Sequence, residues 1–218
     1  MRHVVWDWNG TLLDDLEVVI ASVNDTISIL GADPITAEDY RRLYTRPVSV
    51  FYERMLARPI TTDEWHYLDS TFHDAYRDRL AEASLASGAI DALQQVHDLG
   101  GTQSLLSMFT HEELIEVVAS FGIHDRLVRI DGLTGTAGVQ KHASMARHLE
   151  ALMAHPTTPF DPAAYVIVGD ALDDASAAAS NGVACILFDS GSHHRSDLAA
   201  TGYPVVETLQ RAVDLAWG

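Results

Sequence analysis

The sequence is poor in cysteine and has no long apolar run. Its 218 residues include one cysteine, Cys185, so no intrachain disulfide can form and a reducing compartment such as the cytoplasm is expected. No stretch approaches the roughly 20 consecutive apolar residues that a membrane-spanning helix requires. The first residues carry neither the apolar segment nor the small-residue cleavage site of a signal peptide. These absences predict a protein that is neither exported nor inserted in a membrane.

Positive charge is also scarce. The chain has 14 lysines and arginines against 31 aspartates and glutamates, a formal net charge of −17, and Lys141 is its single lysine. Such a charge repels nucleic acids and anionic lipid surfaces, so we expect neither as a partner. An anionic substrate would need a bound cation or a few well-placed basic groups, and the isolated lysine is a candidate for that role.

Apolar runs and helical spacing alternate along most of the chain. Strand-like runs occupy residues 4–8, 103–108, 127–133, 165–168 and 184–188. Segments with apolar residues at helical spacing occupy residues 89–99, 111–121, 141–153 and 173–180. Strand–helix–strand alternation with strands this apolar predicts an α/β fold, in which a Rossmann-like parallel sheet is covered by helices on both faces.

Residues 15–85 break this alternation. They contain no strand pattern, but helical spacing recurs at residues 16–30, 37–44, 50–57 and 64–80. Thr61 and Glu64 have the spacing of a capping box in front of the last of these helices. The sequence therefore predicts an α-helical domain of residues 15–85, inserted into an α/β core domain formed by residues 1–14 and 86–218.

Polar side chains follow several of the predicted strands. In chain order these residues are Asp7, Ser107, Lys141 at the start of a helix, and Asp170 followed by Asp173 and Asp174. In open α/β sheets, ligands bind at the carboxyl ends of the strands. Each residue also has an ordinary explanation when taken alone, such as an Asx-type turn, a solvated lysine in a first helical turn, or aspartates favoured by a helix dipole. Their joint order is the informative feature.

That order resembles the haloacid dehalogenase superfamily of hydrolases, and it does so over essentially the whole chain. The helical insertion after the first strand is similar to the type-one cap of this superfamily, as in its phosphoglycolate-phosphatase-like branch. The resemblance implies a phosphatase that acts on a small phosphorylated metabolite, with Mg²⁺ as cofactor. It leaves open whether the protein is a monomer or a homodimer.

The resemblance also implies roles for individual residues. Asp7 would be the nucleophile that forms an aspartyl-phosphate. Asp7, the backbone carbonyl of Asn9 and Asp170 would bind the Mg²⁺. Asp174 would hold a metal-bound water, with Asp173 as the alternative.

Further residues are implied on the substrate side. Ser107 would donate to a phosphoryl oxygen, and Lys141 would balance charge on the nucleophile and the phosphoryl group. The remaining candidates for substrate binding are Gly10, Thr11, Met108 and Arg46. Of these, Arg46 lies between two predicted helices of the insertion and could bind a carboxylate or a second phosphate through both its guanidinium nitrogens.

One position departs from the pattern. Hydrolytic members carry a second aspartate two residues after the nucleophile, where it protonates the leaving oxygen and then activates water; here that residue is Asn9. An amide donates hydrogen bonds but exchanges no proton at neutral pH, and the loss of general acid–base catalysis costs about 10²–10⁴ in rate.

Three hypotheses follow from Asn9. The substrate is an acyl phosphate or anhydride whose leaving group needs little protonation, or His111 at a predicted helix start supplies the proton. Alternatively, turnover is lost and the protein binds a phosphorylated ligand or a protein partner in the same cleft. Metal-free halide release is disfavoured by the retained Asp170 and Asp174.

Overall fold

The computed structural model describes residues 1–134, 141–159 and 161–218. The chain divides into two compact units. One consists of Met1–Asp14 together with Leu85–Gly218, and the other consists of Asp15–Ser84.

A parallel sheet forms the centre of the larger unit. The described residues form the strands β1 (His3–Trp6), β2 (Leu13–Asp14), β3 (Ser84–Leu85), β4 (Thr102–Thr110), β5 (Ile130–Leu133), β6 (Tyr165–Gly169), β7 (Ala184–Phe188) and β8 (Val205–Val206). Six of them form one sheet in the order β5-β4-β1-β6-β7-β8, and β2 pairs with β3. The pairings within the six-stranded sheet are parallel. The predicted α/β fold with a parallel sheet is confirmed.

Helices accompany the sheet along the chain. They are α5 (Ala89–Asp98), α6 (His111–Ser120), α7 (Lys141–Met153), α8 (Leu172–Asn181), α9 (Arg195–Ala200) and α10 (Leu209–Trp217). The spacing of apolar residues predicted α5 to α8 closely. Helix α10 was not predicted, although Thr208 caps it and Leu209, Ala212, Val213 and Ala216 form its buried face.

Successive residues of β1 point to opposite faces of the sheet. Val5 lies in a buried cluster with residues of α7, α8 and the strands β6 and β7. The indole N–H of Trp6 instead donates to Gln103 at 3.0 Å, and the amide of Gln103 donates to the carbonyl of Leu93 in α5 at 3.0 Å. Helices therefore cover both faces of β1, and His3, Val5 and Asp7 share the face that α7 covers.

The second unit is helical. It contains α1 (Leu16–Ser28), α2 (Ala37–Leu43), α3 (Val48–Leu56) and α4 (Thr62–Arg79), packed around a core that includes Ile27, Phe51 and Leu68. The predicted capping box is present, because the side chain of Thr61 accepts from the backbone of Glu64 and the carboxylate of Glu64 accepts from the backbone of Thr61. Among the described residues, no helix is both long and apolar enough to cross a membrane.

Candidate active site

Asp7 lies at the carboxyl end of the central strand β1. Its backbone N–H donates to the carbonyl of Val168 in the adjacent strand at 2.9 Å, which continues the sheet by one residue. The side chain is buried. Burial disfavours the charged form and raises the pKa of Asp7 to about 6, although the ammonium of Lys141 opposes the rise. A carboxylate in this position needs a cationic partner.

Lys141 supplies that partner from the first residue of α7. Its Nζ lies 2.7 Å from Asp7 Oδ2 and 2.6 Å from Asp174 Oδ1, and the lysine is itself buried. Burial alone would lower the pKa of Lys141, but the two carboxylates outweigh it and raise the pKa above its ordinary value. The single lysine of the chain is therefore an ammonium that joins two carboxylates at the end of the sheet.

Asp170 directly follows β6, the neighbour of β1. Three hydroxyl groups donate to its carboxylate: Thr11 Oγ1 to Oδ1 at 3.3 Å, Ser190 Oγ to Oδ2 at 3.1 Å, and Ser192 Oγ to Oδ2. Despite these bonds, burial and the negative charges of Asp7 and Asp174 raise the pKa of Asp170 to about 8. Its hydroxyl partners orient the carboxylate but do not neutralise it.

Asp174 lies in the first turn of α8. Its Oδ2 accepts from the backbone N–H of Ala171 at 3.0 Å, and its carboxylate is fully buried. Gly169 is needed beside it, since a Cβ there would come within 2.1 Å of the Asp174 carboxyl carbon. The adjacent Asp173 is half-buried and lies outside the carboxylate cluster described below. The geometry therefore favours Asp174 over Asp173 as the acid that faces the site.

Asp7, Asp170 and Asp174 together have the composition of a site for a hard divalent cation. Each offers a carboxylate oxygen, these oxygens lie within 4.8 Å of one another, and all three residues are buried. Oxygen ligands are those that Mg²⁺ prefers. When all three are ionised, three carboxylates against one ammonium leave an excess of two negative charges, which matches the charge of such a cation. Burial, and then the negative charges of Asp7 and Asp174, raise the pKa of Asp170, so a cation bound here would favour its ionised form.

Asn9 and Ser107 meet next to this cluster. Ser107 Oγ donates to Asn9 Oδ1 at 3.4 Å and accepts from the backbone N–H of Phe109 at 3.1 Å. Ser107 is buried in β4, and Asn9 is half-buried. The hydroxyl predicted to donate to a phosphoryl oxygen therefore lies beside the side-chain amide of Asn9.

Gly10 is required by a close approach of the backbone to Asp170. It has φ +70°, and a Cβ at this position would lie 2.2 Å from Asp170 Oδ2. Thr11 is buried, with its hydroxyl on Asp170, and Met108 is half-buried beside Ser107. Their roles towards substrate stay predictions.

Arg46 and His111 are two further predicted site residues, and neither belongs to the carboxylate cluster. Arg46 precedes α3 in the helical unit, in the loop that follows α2. His111 is the first residue of α6, and its Nδ1 accepts from the backbone N–H of Gly132 at 3.1 Å. Neutral His111 therefore carries its proton on Nε2. A substrate contact of Arg46 and a proton transfer by His111 stay predictions.

Sequence reasoning missed Ser190 and Ser192. They lie in the loop between β7 and α9. An ion pair between Asp189 and Arg195 at 2.8 Å joins the two ends of this loop. A Ser-Gly-Ser sequence directly after an apolar strand was the available signal, because that strand ends at the same edge of the sheet as Asp170.

The chain is similar to known hydrolases at the level of sequence. Residues 4–188 match the sequence model of the family described as haloacid dehalogenase-like hydrolase. A phosphoglycolate phosphatase of Cereibacter sphaeroides is 27% identical over 198 residues, which cover 89% of this chain and 88% of the relative. A phosphoglycolate phosphatase of Synechococcus elongatus is 26% identical over 202 residues, with 92% and 89% covered.

Solved structures share the fold. A hydrolase described as a haloacid dehalogenase-like family protein from Streptococcus pneumoniae superposes with a TM-score of 0.81 at 16% identity, covering 99% of this chain and 98% of that one. A hydrolase of the same superfamily from Entamoeba histolytica gives a TM-score of 0.71 at 17% identity, with both chains fully covered. At such low identity the likeness concerns the fold alone.

Proposed function

The chain belongs to the haloacid dehalogenase-like hydrolase family, and on that premise we propose that it is a Mg²⁺-dependent phosphatase that hydrolyses a small phosphorylated metabolite through an aspartyl-phosphate on Asp7. Its curated relatives are named phosphoglycolate phosphatases. The observation that carries the proposal is the pairing of a buried Asp7 with Lys141 beside two further buried carboxylates.

The first chemical step belongs to Asp7. A carboxylate oxygen of Asp7 attacks the phosphorus, a P–O bond to Asp7 forms, and the P–O bond to the leaving group breaks with its electron pair on the leaving oxygen. Lys141 keeps Asp7 ionised and opposes the negative charge that collects on the phosphoryl oxygens. Ser107, whose hydroxyl can turn from Asn9, is the proposed donor to one of those oxygens.

A bound Mg²⁺ would neutralise phosphoryl charge and fix the phosphoryl group in line with the nucleophile. Asp7, Asp170 and Asp174 fit it by donor type, proximity and excess charge. The backbone carbonyl of Asn9 completes the proposed ligand set. Thr11, Ser190 and Ser192 would hold Asp170 in the orientation that binding requires.

The second step regenerates Asp7. A water oxygen attacks the phosphorus of the aspartyl-phosphate, the P–O bond to Asp7 breaks, and phosphate leaves with the protons of the water. Asn9 can orient that water by a hydrogen bond but cannot remove its proton. Turnover is therefore expected to be slower than in an enzyme with aspartate at this position.

Asn9 also bears on the choice of substrate. An alkyl phosphate expels an alkoxide that must be protonated, whereas an acyl phosphate expels a carboxylate that is stable without a proton. We therefore favour an activated leaving group, with phosphoglycolate as the comparison substrate because the curated relatives are named for it. Arg46 is the proposed partner of a substrate carboxylate.

The expected setting follows from the same observations. The acidic chain and its isolated thiol suit the cytoplasm, and we propose that the protein works as a monomer or homodimer without nucleic acid or membrane as partner. The helical unit of residues 15–84 would act as the cap that selects the substrate.

The proposal is tested by measuring phosphate release with Mg²⁺ from acetyl phosphate, p-nitrophenyl phosphate and phosphoglycolate. The native protein is compared with Asp7→Asn, which removes the nucleophile, and with Asn9→Asp. We expect the native protein to prefer acetyl phosphate and Asp7→Asn to be inactive. Asn9→Asp should hydrolyse phosphoglycolate, the alkyl phosphate of the three, about 10²–10⁴ times faster than the native protein does. A native protein silent on all three substrates, beside an active Asn9→Asp, would favour a binding protein that has lost turnover.

A further inference from the structure

A chain of hydrogen-bonded polar side chains crosses the sheet; His3, Ser104 and His148 are fully buried, and Thr102 and Asp131 at its ends are half-buried. His3 Nδ1 lies 2.7 Å from Thr102 Oγ1, and His3 Nε2 lies 2.8 Å from Ser104 Oγ. Ser104 Oγ lies 2.8 Å from His148 Nε2, and His148 Nδ1 lies 2.7 Å from Asp131 Oδ2. The four links connect β1, β4, α7 and β5. We name these five residues the polar chain.

Burial lowers the pKa of His3 and of His148, so both rings are neutral, and the direction of every hydrogen bond in the polar chain then follows from Asp131. Asp131 also accepts from Arg129 at 2.5 Å, so His148 must donate to it through Nδ1–H. Nε2 of a neutral His148 then accepts from the hydroxyl of Ser104. Ser104 in turn accepts from Nε2–H of His3.

The last link ends at Thr102, whose hydroxyl donates to Nδ1 of His3. Each neutral histidine thus donates through one ring nitrogen and accepts through the other. Every ring nitrogen in the polar chain has a partner, and no link can be removed without leaving a buried polar atom unpaired.

The polar chain lies on the same face of the sheet as Asp7 and its ion-pair partner Lys141. His3, Val5 and Asp7 alternate with residues that point to the other face of β1. On α7, Lys141 and His148 are seven residues apart, so they share one buried stripe and are separated by about 10.5 Å along the helix axis. Asp7 meets Lys141 at one end of this stripe, and the polar chain meets His148 at the other.

Between Lys141 and His148 the buried residues of α7 are Ser144 and Met145, and Met145 packs in an apolar cluster against the sheet. Val5, Leu106, Met145 and Leu149 belong to the same buried cluster. Apolar packing favours burial without strong directional preference, whereas a hydrogen bond fixes the position of a donor relative to its acceptor. The polar chain is therefore a directional contact between α7 and the strands β1, β4 and β5, and it holds the axial position of the helix from a point two turns away from the ion pairs of Lys141.

We propose that His148 is a positioning residue for Lys141: anchored by Ser104 and Asp131, it fixes the register of α7 and thereby holds the Lys141 ammonium between Asp7 and Asp174. Its effect on catalysis passes through Lys141 and rests on the proposed function, whereas its effect on the position of Lys141 does not. The two can be measured separately.

The position of Lys141 can be observed directly, because the chain has one lysine. Protein grown with lysine labelled with ¹³C at Cε gives a single side-chain site in a proton–carbon NMR spectrum. A held side chain shows two distinct Hε shifts, and a freely rotating one shows a single averaged shift. The variants are His148→Leu and the milder His148→Asn, whose amide can still donate to Asp131. Leu152→Ala is the matched control, since it opens a cavity in the same buried face of α7 without touching the polar chain.

We expect two Hε shifts in the native protein and in Leu152→Ala, one averaged shift in His148→Leu, and an intermediate spectrum in His148→Asn. Two unchanged Hε shifts in both His148 variants would overturn the inference, as would an averaged signal in the native protein. If His148→Leu does not fold, the comparison of His148→Asn with Leu152→Ala decides.

The kinetic consequence is tested in the native and Lys141→Met backgrounds with acetyl phosphate. A displacement on the order of 1 Å can cost about 100-fold in rate, so His148→Asn should lower kcat by up to that factor with little change in KM. The same substitution in Lys141→Met should have no further effect. An equal loss in both backgrounds would contradict the positioning role. A native protein without turnover would defeat the proposed function, while the NMR comparison would still decide the role of His148.

Discussion

Replacing Lys141 by methionine should destabilise the protein, because the buried carboxylates of the site lose their positive partner. Methionine keeps most of the volume of the lysine stem but removes the ammonium that contacts Asp7 and Asp174 at 2.7 and 2.6 Å. Each contact amounts to about 6 kcal/mol at an effective dielectric constant of about 20, most of which is offset by the cost of burying the charges. Breaking such a buried pair typically destabilises a protein by about 3–5 kcal/mol, because a charge is left uncompensated.

The size of this loss should depend on pH and on metal. The pKa of Asp170 is raised to about 8 and that of Asp7 is also raised above its ordinary value, by burial first. A carboxyl whose folded pKa is raised binds more protons when folded, so its contribution to stability is lost as pH rises towards the folded pKa. Lys141→Met should therefore cost the full amount at pH 8 in a chelator, and less at pH 5 or with Mg²⁺ present.

Urea unfolding of the native protein and Lys141→Met in these conditions measures the effect. Leu152→Ala serves as a control, because its cavity should cost about 2–5 kcal/mol at either pH and with or without metal. If Lys141→Met lowers the free energy of unfolding by less than about 1 kcal/mol at pH 8 in chelator, this prediction is wrong, because uncompensated buried carboxylates should destabilise the fold by more than that.

Three further outcomes can be checked. Because burial lowers the pKa of His3 to about 3 and also lowers that of His148, both stay neutral when folded, so each histidine's own contribution to stability should fall by up to about 1.4 kcal/mol per pH unit below about pH 6.5. The carboxyls of Asp7 and Asp170 change stability in the opposite direction, so the contribution of His148 is measured as the pH dependence of the difference in urea unfolding between the native protein and His148→Asn. Ser192→Ala removes a hydroxyl from Asp170 and should weaken Mg²⁺ binding by about 10-fold in calorimetry; unchanged affinity would deny it that role. Gly10→Ala places a Cβ 2.2 Å from Asp170 Oδ2, so Mg²⁺ binding should be lost in the same assay.

The sequence predicted the fold well where apolar spacing is regular. Helix α7 begins at Lys141 and ends at Met153, as its spacing indicates, and the capping box of Thr61 and Glu64 has the predicted bonds. Strand β8 has two residues, Val205 and Val206, which is too short for any periodicity to identify. Helix α10 did carry a readable pattern.

Some residues of the candidate site could likewise be predicted from the sequence, and others could not. Asp7 and Asp170 could be placed together from the sequence because parallel strands end at one edge of the sheet, and the family resemblance placed Lys141 with them. The contacts of Ser190 and Ser192 with Asp170 depend on the course of a loop, which the sequence does not specify.

The polar chain could not be predicted at all. His3 and His148 are isolated histidines in apolar segments, and their connection through Ser104 depends on strand register and on the position of α7. Such long-range pairing leaves no periodic signal in a sequence.

The central claim is that Asp7 becomes phosphorylated during turnover. Acid quenching of the native protein with acetyl phosphate and Mg²⁺, followed by peptide mass spectrometry, tests it directly. We expect an acid-stable phosphoryl group on the peptide that contains Asp7, removable with hydroxylamine and absent from Asp7→Asn. Phosphate release that continues in Asp7→Asn, with no phosphoryl group on that peptide in the native protein, would contradict the account.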